Sequence, residues 1–154
     1  MTLNSERRAL ITGASSGIGK ATALAFAEAG IHLALVSRSQ PQLEAVAETA
    51  RKFGVKVQVY PIDLSKVAEV RSQIEAIAAF SPLDILINNA GMGYTGSLME
   101  MSLTDWQRVI DLNVTSVLQC IQGVLPRMRE RKQGTIINVA SIAAHQTFPN
   151  WGAY

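Results

Sequence analysis

A glycine-rich turn between an apolar run and a helical pattern constrains this chain more than any other feature. Residues 9–19 read Ala-Leu-Ile-Thr-Gly-Ala-Ser-Ser-Gly-Ile-Gly, and an alanine-rich helical pattern follows directly. Glycines let the backbone turn sharply and approach a ligand closely, and the free N–H groups of the following helix face negative charge. The stretch predicts a strand, a phosphate-holding turn and a helix, the context that dinucleotide binding requires. A purely structural glycine turn is the alternative.

Length and charge limit the class of protein. The chain has 154 residues, about one domain, and its 48% hydrophobic and 17% charged residues are typical of a globular protein. We therefore expect one domain over residues 1–154. The formal charge of +2 is too small to indicate nucleic-acid binding. The basic cluster Arg127, Arg129, Arg131 and Lys132 is interpreted as a solvated helix C-terminus, favoured by the helix dipole.

Cysteine use and the chain start bear on the compartment. The single cysteine, Cys120, excludes an internal disulfide, and its apolar surroundings favour a packed thiol over a nucleophile. The start, Met1 to Arg8, is polar and lacks the apolar core of a signal peptide. No uninterrupted apolar segment approaches the length of a membrane span. We expect a cytoplasmic protein with no membrane partner, and no metal site is predicted.

Short apolar runs alternate with longer helical patterns. The runs Ile31–Val36, Val55–Tyr60, Leu83–Ile87 and Thr135–Val139 are aliphatic or β-branched almost throughout, as in strands covered on both faces. Gly30 and Gly54 stand where helices should end. The alternation predicts a doubly wound α/β fold, a parallel sheet with helices on both faces. The predicted strands are 7–12, 31–37, 55–60, 83–88 and 134–140, and the predicted helices are 17–29, 40–53, 65–79 and 104–130.

The polar residues that end the first two strands indicate the kind of nucleotide. Gly13, Gly17 and Gly19 form G-x3-G-x-G, and Ser15 and Ser16 add hydroxyl donors. An NAD-selective site usually places an acidic side chain at the end of the second strand. Ser37-Arg38 stands there instead, and an arginine can form charge-assisted hydrogen bonds to a 2′-phosphate. This favours NADP, with an exposed strand-end arginine as the alternative.

Two further clusters follow the third and fourth strands. Asp63 can be the N-cap of the next helix, and Asp63-Leu64 can form a wall for the adenine, with the carboxylate reaching the exocyclic amine. Both roles are compatible. Asn88-Asn89-Ala90-Gly91 offers amide donors and acceptors beside residues small enough for a ring or a backbone to approach. Because ligands of such sheets bind beyond the carboxyl ends of the strands, we expect one site.

A set of short motifs runs along the chain from end to end: Thr12–Gly19, Asp63-Leu64, Asn88–Gly91, Leu112-Asn113-Val114, Asn138–Ser141 and Tyr154. In their order and spacing these motifs resemble those of the short-chain dehydrogenase/reductase family. The resemblance implies a nicotinamide-dependent oxidoreductase of alcohols and ketones, most similar to NADP-dependent carbonyl or 3-oxoacyl reductases. The predicted cofactor contacts are Gly13, Ser15, Ser16, Gly17, Ile18, Gly19, Ser37, Arg38, Asp63, Leu64, Asn89, Ala90 and Gly91.

Three residues carry the predicted chemistry. Ser141 follows the fifth strand, where its hydroxyl can hydrogen-bond a substrate carbonyl. By resemblance, Tyr154 is the general acid that protonates the oxygen in reduction. Asn113 shares an apolar helical stripe with Trp106, Ile110, Val117 and Ile121, so it needs a polar partner. It is either a satisfied core amide or the family's asparagine that holds a water in the proton relay.

The family's fourth catalytic residue, a lysine four residues after the tyrosine, would follow the last residue printed here. We therefore expect these residues to be a truncated part of a longer enzyme. Without that lysine, alcohol oxidation, in which the phenolate acts as the base, should be severely impaired. A homo-oligomer is expected for the full-length form. The alternative is a nucleotide-binding module or fragment without turnover, and another glycine-loop fold such as a methyltransferase fits poorly because no acid ends the second strand. The predicted partner is a small-molecule carbonyl or alcohol substrate of moderate hydrophobicity, flanked by residues 92–101 and 142–152.

Overall fold

A five-stranded parallel sheet forms the centre of the protein. The computed structural model describes residues 7–154, so most of the polar start that argued against a signal peptide lies outside the described residues. The strand order is β3-β2-β1-β4-β5, and all four pairings are parallel. The strands are β1 Arg8–Thr12, β2 His32–Ser37, β3 Val57–Pro61, β4 Ile85–Asn88 and β5 Thr135–Asn138. The predicted fold class is confirmed.

Helices cover both faces of this sheet. Alternate strand residues supply the two cores: Ala9 and Ile11 face one side with α1 and α2, whereas Leu10 faces the other with α3 and α5. Gly30 and Gly54 both adopt φ +80° just after α1 and α2, as predicted for helix ends. The helices are α1 Gly17–Glu28, α2 Gln40–Arg51, α3 Val67–Phe80, α4 Leu103–Ile110 and α5 Ser116–Glu130, with a π-helical turn Asp111–Thr115 joining the last two and a short 3₁₀ turn Ile142–Ala144 after β5.

The register brings the ends of the strands together at one edge. Ile11 is level with Ile87, and Asn88 is level with Asn138. The chain runs outward from β1 to β2 and β3, and then returns to β4 on the other side of β1. The carboxyl ends of β1 and β4 therefore flank the point where the strand order reverses, which is where ligands of such sheets bind.

Three expectations about local structure are corrected. Asp63 is not a helix N-cap, because α3 begins four residues later and the carboxylate instead accepts hydrogen bonds from Ser65 N and Oγ at 3.1 and 2.7 Å. The buried row of the long helix does not contain Trp106, which is 43% exposed. The buried row consists of Val109, Ser116, Cys120, Gly123, Val124 and Met128. Coverage on both faces does not extend to β5, whose Ile137 is 44% exposed at the sheet edge.

The long helix also bears on the membrane expectation. Residues Leu103–Glu130 form a helix that is long and apolar enough to cross a membrane by length and composition. Polar residues such as Asp111, Asn113 and Gln119 interrupt it, so it is not the uninterrupted apolar segment whose absence was expected. One such helix is weak support for a membrane protein, because a core helix passes the same test. Here α5 packs on α3 and β4, and Cys120 on its inner face is 1% exposed. Burial raises the pKa of the Cys120 thiol to about 12, as expected for a packed cysteine.

At the amino ends of the strands, one member of the basic cluster makes a specific contact. Arg131 Nη1 lies 2.9 Å from Asp84 Oδ1, and Nη2 donates to the Leu83 carbonyl at 2.6 Å. Asp84 Oδ2 also accepts a hydrogen bond from Arg8 N at 2.9 Å. Arg131 therefore links the end of α5 to the start of β4 and, through Asp84, to β1. This corrects its interpretation as part of a solvated helix end.

Candidate functional site

The glycine turn after β1 is held in place by close backbone packing. Gly13 adopts φ +63°, and a Cβ at this position would lie 2.9 Å from Ala90 Cα. A Cβ on Gly19 would lie 2.6 Å from Asn89 Nδ2 and would meet the Gly13 carbonyl. Both positions therefore require glycine, Gly13 for its positive φ and its approach to the β4 loop, and Gly19 for the approach of α1 to the turn.

The amino end of α1 is open toward this turn. Ser16 is the N-cap residue in an extended conformation, and within residues 7–154 no side chain caps the helix. The first turn of α1 carries no acidic residue. The N–H groups of that turn are thus available to an anion, which the helix dipole also favours.

A cleft of about 310 Å³ lies at the carboxyl ends of β1, β2, β3 and β4. It brings together all the predicted cofactor contacts except Gly17, Ile18 and Gly19. Those three lie at the start of α1, where Ile18 is 64% exposed and Gly19 is buried against the turn. The predicted residues that line the cleft are Gly13, Ser15, Ser16, Ser37, Arg38, Asp63, Leu64, Asn89, Ala90 and Gly91.

Charge is concentrated at the β2 and β3 end of the cleft. Burial alone would raise the pKa of the Asp63 carboxyl, but hydrogen bonds from Ser65 and the charges of Arg38 and Lys66 outweigh it and hold this pKa below its usual value. Asp63 is therefore ionised and close to the Arg38 charge. Ser37 Oγ is buried, and the described part of the chain gives it no hydrogen-bond partner. This end of the cleft offers a cation, an anion and an unused hydroxyl.

Asn113 lies in the π-helical turn and clamps the loop after β4. Its Oδ1 accepts a hydrogen bond from Met92 N at 2.9 Å, and its Nδ2 donates to Met92 O at 2.8 Å. This meets the expectation that a polar residue on this helix needs a partner, and the partner is backbone. π-Helical turns inside α-helices occur frequently at functional sites. The turn directs Asn113 to the loop that begins with Gly91, at the cleft wall.

Ser141 and Tyr154 lie in the segment after β5. Ser141 begins the 3₁₀ turn, and its Oγ accepts a hydrogen bond from Ala143 N at 3.2 Å, which leaves the hydroxyl proton free to donate. Tyr154 is 40% exposed, and its ring lies edge-on to Trp151 with the centroids 5.5 Å apart. Neither residue lines the cleft, but Gly96 N donates to Asn150 O at 2.8 Å and so ties their segment to the loop after β4.

Sequence reasoning predicted no individual role for Thr12, which precedes Gly13 without lining the cleft, or for Arg108 and Leu112. Thr12 is 1% exposed, and its Oγ1 accepts hydrogen bonds from Asn89 N and Ala90 N. Arg108 and Leu112 line the cleft from α4 and the π-helical turn, one turn apart. A search for polar residues at the ends of apolar strands cannot find side chains that line the cleft from a helix on the opposite wall. The spacing of Arg108 four residues before Leu112 was the available signal.

Comparison with known proteins agrees with this architecture. The family described as short chain dehydrogenase matches residues 7–154. A curated 3-oxoacyl-[acyl-carrier-protein] reductase, FabG of Staphylococcus epidermidis, is 38% identical over 150 residues, which is 96% of this chain and 62% of that protein. The chain thus spans about three fifths of the length of the curated relatives it matches.

Two solved structures have closely similar folds. One is an L-sorbose reductase from Gluconobacter frateurii complexed with NADPH and L-sorbose, with a TM-score of 0.92, 37% identity, and coverage of 99% of this chain and 59% of that one. The other is an NAD⁺-bound xylitol dehydrogenase, with a TM-score of 0.91, 32% identity, and coverage of 100% of this chain and 60% of that one. Because these two proteins carry different nicotinamide cofactors, the choice between cofactors depends on individual residues.

Proposed function

The chain belongs to the short chain dehydrogenase family, and on that premise we propose that the protein is an NADP(H)-dependent oxidoreductase that reduces a small carbonyl compound to an alcohol. Residues 1–154 would form its cofactor-binding domain. The observation that carries the choice of cofactor is Arg38, which lines the cleft at the end of β2 where an NAD-selective site usually has an acid. Homo-oligomerisation and a cytoplasmic location remain predictions.

The turn after β1 fits a pyrophosphate. The uncapped N–H groups at the start of α1 supply hydrogen-bond donors and the positive end of the helix dipole. Ser15 and Ser16 line the same part of the cleft and can donate from their hydroxyls. A Cβ placed on Gly17 would meet nothing within 4 Å, so a phosphate can approach the backbone there. These groups favour a dianionic ligand without requiring a metal.

The β2 and β3 end fits an adenosine with a 2′-phosphate. The Arg38 guanidinium can form two charge-assisted hydrogen bonds to phosphate, and the buried Ser37 hydroxyl can add a third. Leu64 and Ala90 provide apolar surface for the base, and the ionised Asp63 can accept a hydrogen bond from the exocyclic amine. The adenine wall that we predicted from Asp63-Leu64 is retained in this proposal.

We assign the proton transfer to Tyr154, the orientation of the substrate oxygen to Ser141, and the positioning of the adjoining loop to Asn113. When bound, the nicotinamide supplies the hydride for reduction. Ser141 Oγ donates a hydrogen bond that orients the substrate oxygen and stabilises the charge developing there. Tyr154 Oη gives its proton to that oxygen as the general acid. Asn113 holds Met92 in place and so fixes the wall between the cofactor cleft and the substrate.

The test measures cofactor binding and turnover separately, on the protein at its full natural length. We expect NADPH to bind, and a panel of neutral ketones to be reduced with loss of NADPH absorbance. Tyr154→Phe removes only the hydroxyl, so it should lower kcat by about 100-fold or more and leave the Kd for NADPH within about twofold. Tyr60→Phe, which removes a hydroxyl that donates to Gln58 on β3 outside the cleft, is the matched control and should retain activity.

The outcomes separate the candidate functions. Absence of NADPH binding contradicts the proposal. NADPH binding without turnover of any carbonyl favours the alternative of a binding module. Turnover that survives Tyr154→Phe removes the tyrosine from its proposed role while leaving the family's reaction intact.

A further inference from the structure

Three aromatic rings form a row that ends at Tyr154. Phe148, Trp151 and Tyr154 are spaced three residues apart, and successive backbone turns link them, with Trp151 N donating to Phe148 O at 3.1 Å and Tyr154 N donating to Trp151 O at 3.0 Å. The ring centroids lie 6.3 Å apart for the first pair and 5.5 Å for the second, and the second pair meets at 71°. Trp151 is the central ring and contacts both neighbours.

Trp151 also contacts the loop after β4. A Cβ placed on Gly93 would lie 3.7 Å from Trp151 Cζ3, so the indole lies against the backbone there. Two further contacts hold the segments together: Gly96 N donates to Asn150 O at 2.8 Å, and Leu98 packs against Gly152, where an added Cβ would lie 2.7 Å from Leu98 Cδ1. Trp151 therefore stands between Tyr154 and the loop whose first residues, Gly91 and Met92, line the cofactor cleft.

The two segments that meet at these exposed rings contribute no carboxylate, ammonium or guanidinium side chain. Phe148 is 42% exposed, and Trp151 and Tyr154 are each 40% exposed. The two segments that meet here, residues 91–99 and 142–154, contain no Asp, Glu, Lys or Arg. An anionic substrate group would find no countercharge on either segment, whereas a flat apolar group can stack on the indole.

We infer that Trp151 is a specificity-determining residue that binds an aryl group attached to the substrate carbonyl, next to the ring of Tyr154. This inference rests on the proposed function, since it names the substrate class of the same site. A site of this kind selects neutral aryl ketones over small polar ketones. We also predict that the loss of the indole affects substrate recognition and leaves cofactor affinity unchanged.

The kinetic test compares two ketones in the full natural-length protein. Trp151→Ala should lower kcat/KM for acetophenone by about tenfold and change it for hydroxyacetone by less than about twofold, because only the aryl ketone loses a stacking partner. Trp151→Phe should restore most of the acetophenone activity. Trp106→Phe, which changes a tryptophan on α4, is the control. An equal loss for both ketones, with an unchanged Kd for NADPH, overturns the inference and leaves Trp151 a structural contact of Tyr154.

A binding measurement tests the same inference without turnover. With NADP⁺ present, acetophenone should cause a saturable change in tryptophan emission in the wild type and in Trp106→Phe, but none in Trp151→Phe. An emission change that survives Trp151→Phe, or its absence from the wild type, overturns the inference. A protein that binds acetophenone through Trp151 but reduces no ketone contradicts the proposed function alone, so the two failures are distinguishable.

Discussion

Thr12 and Asn89 hydrogen-bond each other's backbone across the site. Thr12 Oγ1 accepts from Asn89 N at 2.9 Å, while Asn89 Nδ2 donates to Thr12 O at 3.0 Å. Thr12 Oγ1 also accepts from Ala90 N at 3.0 Å. This reciprocal pair joins the turn after β1 to the loop after β4, two parts of the cofactor cleft that are far apart in the chain. It fixes their spacing before a ligand binds.

Thr12→Val should therefore reduce both stability and cofactor affinity. Valine has nearly the shape of threonine but leaves the N–H groups of Asn89 and Ala90 without an acceptor, at a cost of about 1–3 kcal/mol each. We expect a fall of at least about 2 kcal/mol in the free energy of unfolding, measured with urea, and weaker NADPH binding. Thr12→Ser, which keeps the hydroxyl, should recover most of both.

Thr49→Val is the matched control for that change. Thr49 Oγ1 donates a hydrogen bond to the backbone carbonyl of Ala45 at 3.1 Å, on the exposed surface of α2. Its replacement should change the free energy of unfolding by less than about 0.5 kcal/mol. Equal effects of the two valines would contradict a special role for the Thr12–Asn89 pair.

Arg38 should determine the preference for NADPH over NADH. Arg38→Ala removes charge-assisted hydrogen bonds worth about 1.5–3 kcal/mol, so the Kd for NADPH should rise by about 10- to 100-fold while that for NADH stays within about twofold. Arg38→Lys should recover part of the affinity, because lysine keeps the charge and loses the bidentate geometry. Titration by NAD(P)H fluorescence measures both constants.

The control for Arg38 is Arg71→Ala. Arg71 pairs with Glu75 at 2.8 Å on the exposed face of α3, away from the cleft. Arg71→Ala removes one positive charge, as Arg38→Ala does. It therefore distinguishes the loss of the local Arg38 contact from an effect of net charge. Equal affinities of the wild type for NADPH and NADH would refute the assignment of Arg38.

Asp63 should give the protein a stability that depends on acid pH. Its pKa in the folded state is lowered, so its contribution is fully present above the unfolded pKa of about 3.9 and is lost as the pH falls through the folded value. The difference in the free energy of unfolding between the wild type and Asp63→Asn should therefore be largest near neutral pH and shrink below about pH 4. Ser65→Ala, which removes the Oγ donor, should reduce this pH dependence. A difference that grows as the pH falls would contradict the assigned sign.

The sequence predicted the fold and most of the cleft for one physical reason. Each candidate residue follows an apolar run, and the carboxyl ends of neighbouring parallel strands meet at one edge of a sheet. Arg38, Asp63 and Asn89 were placed in this way, and the structure brings all three to one cleft. Polar residues at strand ends were sufficient to predict the cleft, because parallel pairing of the strands brings these residues together.

Features set by helices were harder to predict. The π-helical turn Asp111–Thr115 interrupts the regular helical period, so the stripe expected to hold Asn113 with Trp106 did not match the buried face. The partner of Asn113 is the backbone of Met92, which has no sequence signature. Arg108 enters the cleft from the facing helix wall and follows no strand. Tertiary placement, which local patterns do not encode, decided each case.

Arg131 should stabilise the fold without affecting the cofactor, because its contacts lie at the amino ends of β1 and β4, opposite the cleft. Arg131→Met keeps much of the side-chain length but leaves Asp84, 13% exposed at its side chain, without its 2.9 Å partner. The expected loss is about 1–3 kcal/mol in the free energy of unfolding, with an unchanged Kd for NADPH. Arg71→Met breaks a pair whose side chains are 56% and 45% exposed and should cost less than about 0.5 kcal/mol. If the two variants are equally stable, or if Arg131→Met weakens NADPH binding, the contact between Arg131 and Asp84 does not stabilise the fold independently of the cofactor site.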